Sequence, residues 1–261
     1  MMKPQYFISG LPRSGSTLLA SLLSQNPRFY TDIASPVNAI VEAHLHTDTF
    51  GFNQILTPSK TRQLIENTFE VMYGDNDKEI IFDTNRCWSG KLEVLHDIFP
   101  ETKVICCVRD IKSILNSFEH VYRQNLYQSN SSLYGHDNVS VYTRSQSLLS
   151  PGGVLGVGLN NLKQGIHSAH KDMLYIVEYD DLVEDTEAVL ESIYELLGLE
   201  PFEHDLNNLN NIEQTKIVDD NLLLPNLHTV RKIVSRQELP NYIPHDLAAT
   251  LENLEYWRFI D

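Results

Sequence analysis

Four short runs of the chain are apolar at nearly every position: Tyr6–Ser9, Glu79–Asp83, Lys103–Arg109 and Met173–Tyr179. Runs this continuous, and this rich in β-branched or aromatic residues, read as strands buried on both faces, the pattern of a parallel sheet covered by helices. Between them the period changes to that of a helix. Ser16–Ser24 opens directly after a glycine-rich stretch, and Pro36–His46 carries apolar residues on one face. Ser59–Tyr73 places Leu64, Ile65, Phe69 and Met72 at helix spacing; Lys91–Phe99 does so with Leu92, Leu95 and Phe99 before Pro100 stops it. Ile111–Tyr127 and Val154–Lys171 are longer, and Thr186–Leu197 is an amphipath ended by Gly198. Strands alternating with helices give an α/β fold of three layers, a central parallel sheet with helices on both faces. No internal repeat interrupts it.

Two stretches break the rhythm. Gln124–Gly153 is rich in Ser, Asn and Tyr and weakly periodic. An irregular segment that long inside a compact domain reads as a lid or binding loop, or else as plain disorder. Its Tyr127, Tyr134 and Tyr142 offer flat amphipathic surfaces to a polar ligand. Phe202–Leu227 is also polar, and leads to a basic cluster of Arg231, Lys232 and Arg236.

Composition narrows the class. With 261 residues, 42% of them hydrophobic and 21% charged, the chain is an ordinary globular protein, read as one domain over 1–261. The net charge of −15 argues against nucleic-acid or membrane-surface partners, both of which need a basic face. Basic groups that hold an anionic ligand must therefore be gathered locally. Three cysteines make no disulfide framework and have no metal-ligand spacing, so no metal is expected and a reducing cytoplasm is the expected compartment. No signal peptide or membrane span is legible in the hydropathy pattern.

The strongest local signal is Gly10-Leu-Pro-Arg-Ser-Gly-Ser-Thr17, between a strand and a helix. In that context backbone N–H groups and the positive helix end converge on an anion, which makes the layered sheet a P-loop-type fold. The spacing follows the triphosphatase pattern GxxxxGK[ST], except that Ser16 stands where a lysine would reach the β- and γ-phosphates. The cation in the loop is Arg13, able to fork onto a terminal oxyanion, and Ser14, Ser16 and Thr17 add hydroxyls. A second signal follows the strand Lys103–Arg109. Arg109 lies at its carboxyl end, on the ligand-binding edge of such a sheet, and Ser117 follows on the next helix. Together they form a grip for a second phosphate, separate from the loop.

With these residues the sequence resembles the sulfotransferases that use 3′-phosphoadenosine 5′-phosphosulfate (PAPS). Pro12–Thr17 matches the family's 5′-phosphosulfate loop (Pro12, Arg13, Ser14, Gly15, Ser16 and Thr17), and Arg109 with Ser117 matches its 3′-phosphate site. Glu178-Tyr-Asp-Asp-Leu182 is similar to the family segment whose tyrosine lies near adenine, which makes Tyr179 the matching residue. The loop and the C-terminal part look closer to the tyrosylprotein and bacterial branches than to the animal cytosolic one. The resemblance implies sulfuryl transfer from PAPS, as co-substrate and without metal, by in-line displacement to a hydroxyl or amine of a small-molecule or peptide acceptor. It implies that 124–153 is the acceptor loop and that 202–261 closes on the cofactor, with Arg231 and Lys232 contacting it.

Such chemistry needs a cation on the leaving oxygens and a base for the acceptor hydroxyl. Arg13 takes the first role. Where the family has a further lysine after the second strand, this chain has Asp83-Thr-Asn-Arg-Cys-Trp88, in which Arg86 is either the substitute cation or a surface cap on the helix near Ser89. For the base the order is Asp32, which lies near the place of a glutamate in the tyrosylprotein branch, then His44; Glu42 and His46 are further candidates. Two rival readings remain at this point. A small-molecule P-loop kinase using ATP and Mg²⁺ would take Asp83 or Asp110 as its metal carboxylate. An inactive nucleotide-binding module would keep Arg109 but lose Arg13 or the loop glycines.

Overall fold

The structure is a computed structural model that describes residues 3, 5–47, 55–127, 131–135, 139–209, 228, 230, 232–236 and 238–259. Five strands form one sheet: β1 (Gln5–Gly10), β2 (Phe29–Thr31), β3 (Ile80–Thr84), β4 (Val104–Val108) and β5 (Leu174–Glu178). Their spatial order is β2-β3-β1-β4-β5, and every neighbouring pair is parallel. Four are the apolar runs read from the sequence, with ends shifted by one residue at most. The strand that was missed, β2, has three residues at a sheet edge and is too short to show a period.

Around the sheet run α1 (Ser16–Leu23), α2 (Val37–Leu45), α3 (Pro58–Tyr73), α4 (Leu92–Ile98), α5 (Ile111–Gln124), α6 (Ser131–Tyr134), α7 (Val141–Leu149), α8 (Val154–Ile166), α9 (Tyr179–Glu184), α10 (Thr186–Leu197) and α11 (His245–Ala248). Alternate side chains sort the strands into two faces, as the pleat requires. Ile8, Phe82, Ile105, Cys107 and Val177 meet α1 and α10 on one face. On the other, Phe7, Ile81 and Val104 pack on α2, α3 and α4, while Cys106 and Val108 pack on α5, α7 and α8. Among the described residues no helix is long and apolar enough to cross a membrane.

The stretch 124–153 differs from the irregular loop expected. It contains α6 and α7, and Ser140 starts α7 with a capping box: its hydroxyl accepts from Thr143 N while the Thr143 hydroxyl accepts from Ser140 N. A polar helix of this kind carries little hydrophobic periodicity, because a few tertiary contacts hold it. Leu148 and Tyr134 are buried, the Tyr134 hydroxyl donating to Phe118 O at 3.0 Å. Arg144, itself buried, donates to both carboxylate oxygens of Glu119 on α5, at 2.7 and 2.9 Å, and lies 3.8 Å over the Tyr122 ring.

Chain order sends β1 first to β2 and β3 on one side and then to β4 on the other. The crevice outside the carboxyl ends of β1 and β4 is therefore the topological switch point, where open α/β sheets bind ligands. At that point Gly10 has φ 117°, and a Cβ there would lie 2.0 Å from Cys107 O. Gly10→Ala is expected to abolish folding, because backbone of β4 cannot give way. Ser140→Ala should cost only about 1 kcal/mol, the usual worth of an N-cap. Urea unfolding followed by circular dichroism checks both; a neutral Ser140→Ala would mean that α7 does not need its cap.

Candidate active site

The glycine loop hangs on one carbonyl. Cys107 O accepts from Leu11 N at 2.8 Å, and the fully buried Ser14 hydroxyl lies 2.8 Å from it and 2.5 Å from Leu11 O. Ser14 was expected to offer its hydroxyl to an anion; it is turned inward and fastens the loop to β4 instead. Between these anchors Arg13 adopts φ 60°, the one non-glycine in the left-handed region among the described residues. Such a backbone costs on the order of 1 kcal/mol and persists where its surroundings hold it. Gly15 has φ 96° and caps α1, where a Cβ would meet the Tyr179 ring and Leu182 at 3.0 Å. The first N–H groups of α1, from Ser16 onward, have no partner inside the helix and open on the loop.

Arg109 follows β4. Its guanidinium lies 3.9 Å over the Tyr179 ring, and its Nη1 donates to Arg13 O at 3.2 Å. Its buried Nε has no hydrogen-bond partner among the described residues. Burial pulls the Arg109 pKa down, so an anion that pairs with it relieves a desolvated charge. Arg13 Nε donates to the Ser117 hydroxyl on α5 at 3.1 Å. The loop and the Arg109–Ser117 grip are thus joined through Arg13. Arg109, Ser117, Arg13 and Tyr179 make one cluster, drawn from four elements that the sheet topology brings to a single edge.

A cavity of about 590 Å³ opens over this cluster. Pro12, Arg13, Gly15, Ser16 and Thr17 line one side, with Arg109, Ser117 and Tyr179. The remaining wall comes from Ile33 and Ala34, from Thr84–Arg86, from Phe118 and Leu133, and from Gly152–Val154 with Val157. Arg86 sits in the turn after β3. Its carbonyl accepts from the Ser9 hydroxyl at 3.0 Å and its Nη1 reaches Val154 O at 3.4 Å; among the described residues no carboxylate pairs with it. Burial lowers its pKa as well.

The sequence-derived base candidates lie elsewhere. Asp32 is buried, does not line the cavity, and accepts at Oδ1 from Thr84 N at 2.9 Å. His44 is on the outer helix α2, its Nε2 3.3 Å from the Thr68 hydroxyl, and is not in the cavity wall either. Short-range spacing could not separate a residue beside the pocket from one beneath its floor. Tyr127 is fully exposed, Tyr134 is buried under α5, and the Tyr142 hydroxyl donates to Asp246; none of the three lines the cavity, although Leu133, Gly152 and Gly153 of that stretch do. Lys232 is exposed and contributes its carbonyl, which accepts from Leu209 N at 2.7 Å, rather than its ammonium; Arg231 lies outside the described residues. The C-terminal contributors to the wall are His228, Val230 and Ile233–Ser235. Of that segment it is the apolar Val230, Ile233 and Val234, flanking the conspicuous basic positions, that reach the cavity.

Residues 4–204 match the sequence profile of the Sulfotransferase family. None of the curated proteins matches the chain. Among solved structures, the mouse sulfotransferase SULT7A1 complexed with PAP superposes with a TM-score of 0.55 at 16% identity, over 99% of this chain and 85% of that one. The sulfotransferase domain of the Synechococcus PCC 7002 olefin synthase gives 0.52 at 20% identity, over 98% and 96%. Retinol dehydratase in a complex with retinol and PAP gives 0.51 at 12%, over 100% and 83%. These structures share the fold, a P-loop-type parallel sheet. The sequence match decides the rest: this chain, a transferase of the sulfuryl group, belongs to the Sulfotransferase family.

Proposed function

We propose that the chain transfers the sulfuryl group of PAPS to a hydroxyl, or an amine, of a small-molecule or peptide acceptor by in-line displacement. The observation that carries this reading is the buried, unpartnered Nε of Arg109 beside Ser117 and over the Tyr179 ring, one loop away from an anion-binding helix end. Two anionic groups, one on each side of Arg13, match a ligand phosphorylated at both 3′ and 5′ positions, and two of the superposed structures are complexes with PAP. PAPS supplies an already activated sulfuryl group. Ser16, Thr17 and the N-terminal N–H groups of α1 receive its 5′ end, Arg109 and Ser117 its 3′-phosphate, and Tyr179 lies toward adenine. Arg13, at the junction, stabilises the charge that grows on the leaving phosphate. Arg86 is the second cation, on the acceptor side. The wall from 124–153 and from Val154 receives the acceptor, the segment within 202–261 closes the cofactor side, and the cytoplasm is the proposed compartment.

The kinase reading loses its carboxylates. Asp83 is wholly buried under three donors, and Asp110 caps α5 by accepting from Ser113 N at 2.7 Å. PAP is therefore expected to raise the melting temperature without Mg²⁺, by about 2.7 kcal/mol of stabilisation at a hundredfold excess over Kd. ATP with Mg²⁺ should do little. The reverse preference in a thermal-shift titration would restore the kinase.

A second outcome separates the arginines. Arg109→Ala should weaken PAP binding much more than it slows turnover at saturation. Arg13→Ala should lower kcat by about 10²–10³-fold if it acts on charge that develops in the transition state. Isothermal titration with PAP and steady-state rates with mixed phenolic acceptors measure both; equal losses in affinity with unchanged kcat would reverse the assignment.

A further inference from the structure

Beneath the cavity floor lies a polar cluster that the transfer reaction, as drawn above, does not use. Asp83, at the end of β3, is wholly buried and accepts from the Trp88 indole at 2.6 Å, the Tyr73 hydroxyl at 2.6 Å and the Ser35 hydroxyl at 2.7 Å. Asp32, in the loop after β2, accepts from Thr84 N, and its carbonyl accepts from the Thr84 hydroxyl at 2.7 Å. Thr84 and Trp88 bracket the turn that carries Arg86 into the cavity. The same turn is tied to β1, where Asn85 N donates to Ile8 O and the Ser9 hydroxyl bridges Arg86 O and Ser89 N, each at 3.0 Å. It is also tied to the β2–α2 loop, through Ser35 N to Thr84 O and Asn85 Nδ2 to Ser35 O. The two carboxyls therefore hold both ends of a turn whose one cation faces the ligand.

We propose that Asp32 and Asp83 are positioning residues for Arg86, which together fix its turn against the glycine loop. The inference rests on the role given to Arg86 above. Thr31 pairs with Phe82 in the β2–β3 register, which brings Asp32 and Asp83, the next residue of each segment, together, and two buried carboxyls so placed cannot both ionise at ordinary cost. Burial raises the Asp83 carboxyl too, but its three donors oppose that rise, which leaves Asp32 the better holder of a proton. Burial and the Asp83 charge push the Asp32 carboxyl up to about 8. The groups that face the pair are Tyr73 from α3, Ser35 and Thr84 from the flanking loops, and the Trp88 indole. Arg86, Cys87 and Lys91 follow on the turn and at the start of α4, with Lys91 paired to Glu42 of α2 at 3.0 Å. Loss of the Asp32 proton would leave two like charges in one dry site, and the turn must then loosen.

The sign of the pH effect follows. Asp32 ionises near its ordinary value of 3.8 when unfolded and near 8 when folded, so the folded state holds a proton that the unfolded state has released. Stability conferred by the pair is complete below about 4 and declines as pH rises toward about 8.

The chain has two tryptophans, Trp88 and Trp257. In a Trp257→Phe background, Trp88 emission should shift with a midpoint near pH 8, and Asp32→Asn should remove that midpoint and flatten the fall of melting temperature between pH 5 and 8. Neither readout needs PAPS or an acceptor, so failure here is separable from failure of the transferase reading. In turnover, Asp83→Asn, whose amide opposes three donors, should lower kcat by roughly 10²-fold through a misplaced Arg86 while PAP affinity stays within about twofold. Trp88→Phe, which keeps the ring and removes one donor, gives the same split more mildly should Asp83→Asn fail to fold. A midpoint that survives Asp32→Asn, or a larger loss of kcat in Asp32→Asn than in Asp83→Asn, overturns the proposal.

Discussion

The carbonyl oxygen of Cys107 is the point on which the site depends. It receives Leu11 N, lies within reach of the Ser14 hydroxyl, and stands where any side chain at residue 10 would collide. Such an approach between β1 and β4 is possible only because residue 10 is glycine with a positive φ, and it forces the chain to turn sharply off the sheet. The turn in turn sets the start of α1 and aims its free N–H groups at the switch point of the topology. Removing either contact would leave the helix end without a fixed direction.

From that fixed loop the rest of the cluster follows by short links. Arg13, held in the left-handed region, sends its side chain to Ser117 on α5 and its carbonyl to Arg109 after β4. Arg109 stacks on Tyr179 at the start of α9, and the same tyrosine closes on Gly15. Among the described residues no carboxylate hydrogen-bonds Arg109, whose charge Asp110 and Asp180 offset only from a distance. That choice costs stability, since both Arg109 and Arg86 are desolvated. It is the usual exchange between a stable surface and a site prepared for a charged ligand.

Much of this was legible in the sequence because it rests on local signals. Continuous apolar runs gave the four long strands, and Gly10–Thr17 announced its own geometry. Arg109 and Ser117 were legible for the same reason: a strand end and one helix spacing. What escaped depends on contacts between distant segments. The three residues of β2 pair only because β3 offers an edge. The helix α7 is held by the Arg144–Glu119 pair across 25 positions, which no window of periodicity contains. Asp32 has the right residue type and neighbourhood for a base, yet Thr84, 52 positions on, takes its carboxylate under the floor. Whether an acid faces a cavity or a core is decided by such partners and not by its neighbours in sequence.

The buried pair between Glu119 and Arg144 has a consequence for how acceptor preference changes in evolution. It welds α7 to α5, the helix that also carries Ser117, so that side of the cavity and the Ser117 hydroxyl that Arg13 meets move as a unit. Losing Arg144 leaves the buried Glu119 carboxylate with Arg123 as its remaining ion-pair partner among the described residues, a penalty below the about 3–5 kcal/mol of a fully unpaired buried charge. A grafted or lengthened loop between Gln124 and Gly153 would carry that penalty to the helix that presents Ser117. On the proposed function, new acceptors are therefore reached most cheaply by single substitutions on the wall itself, at Leu133, Val154 or Val157, with the scaffold behind them left intact.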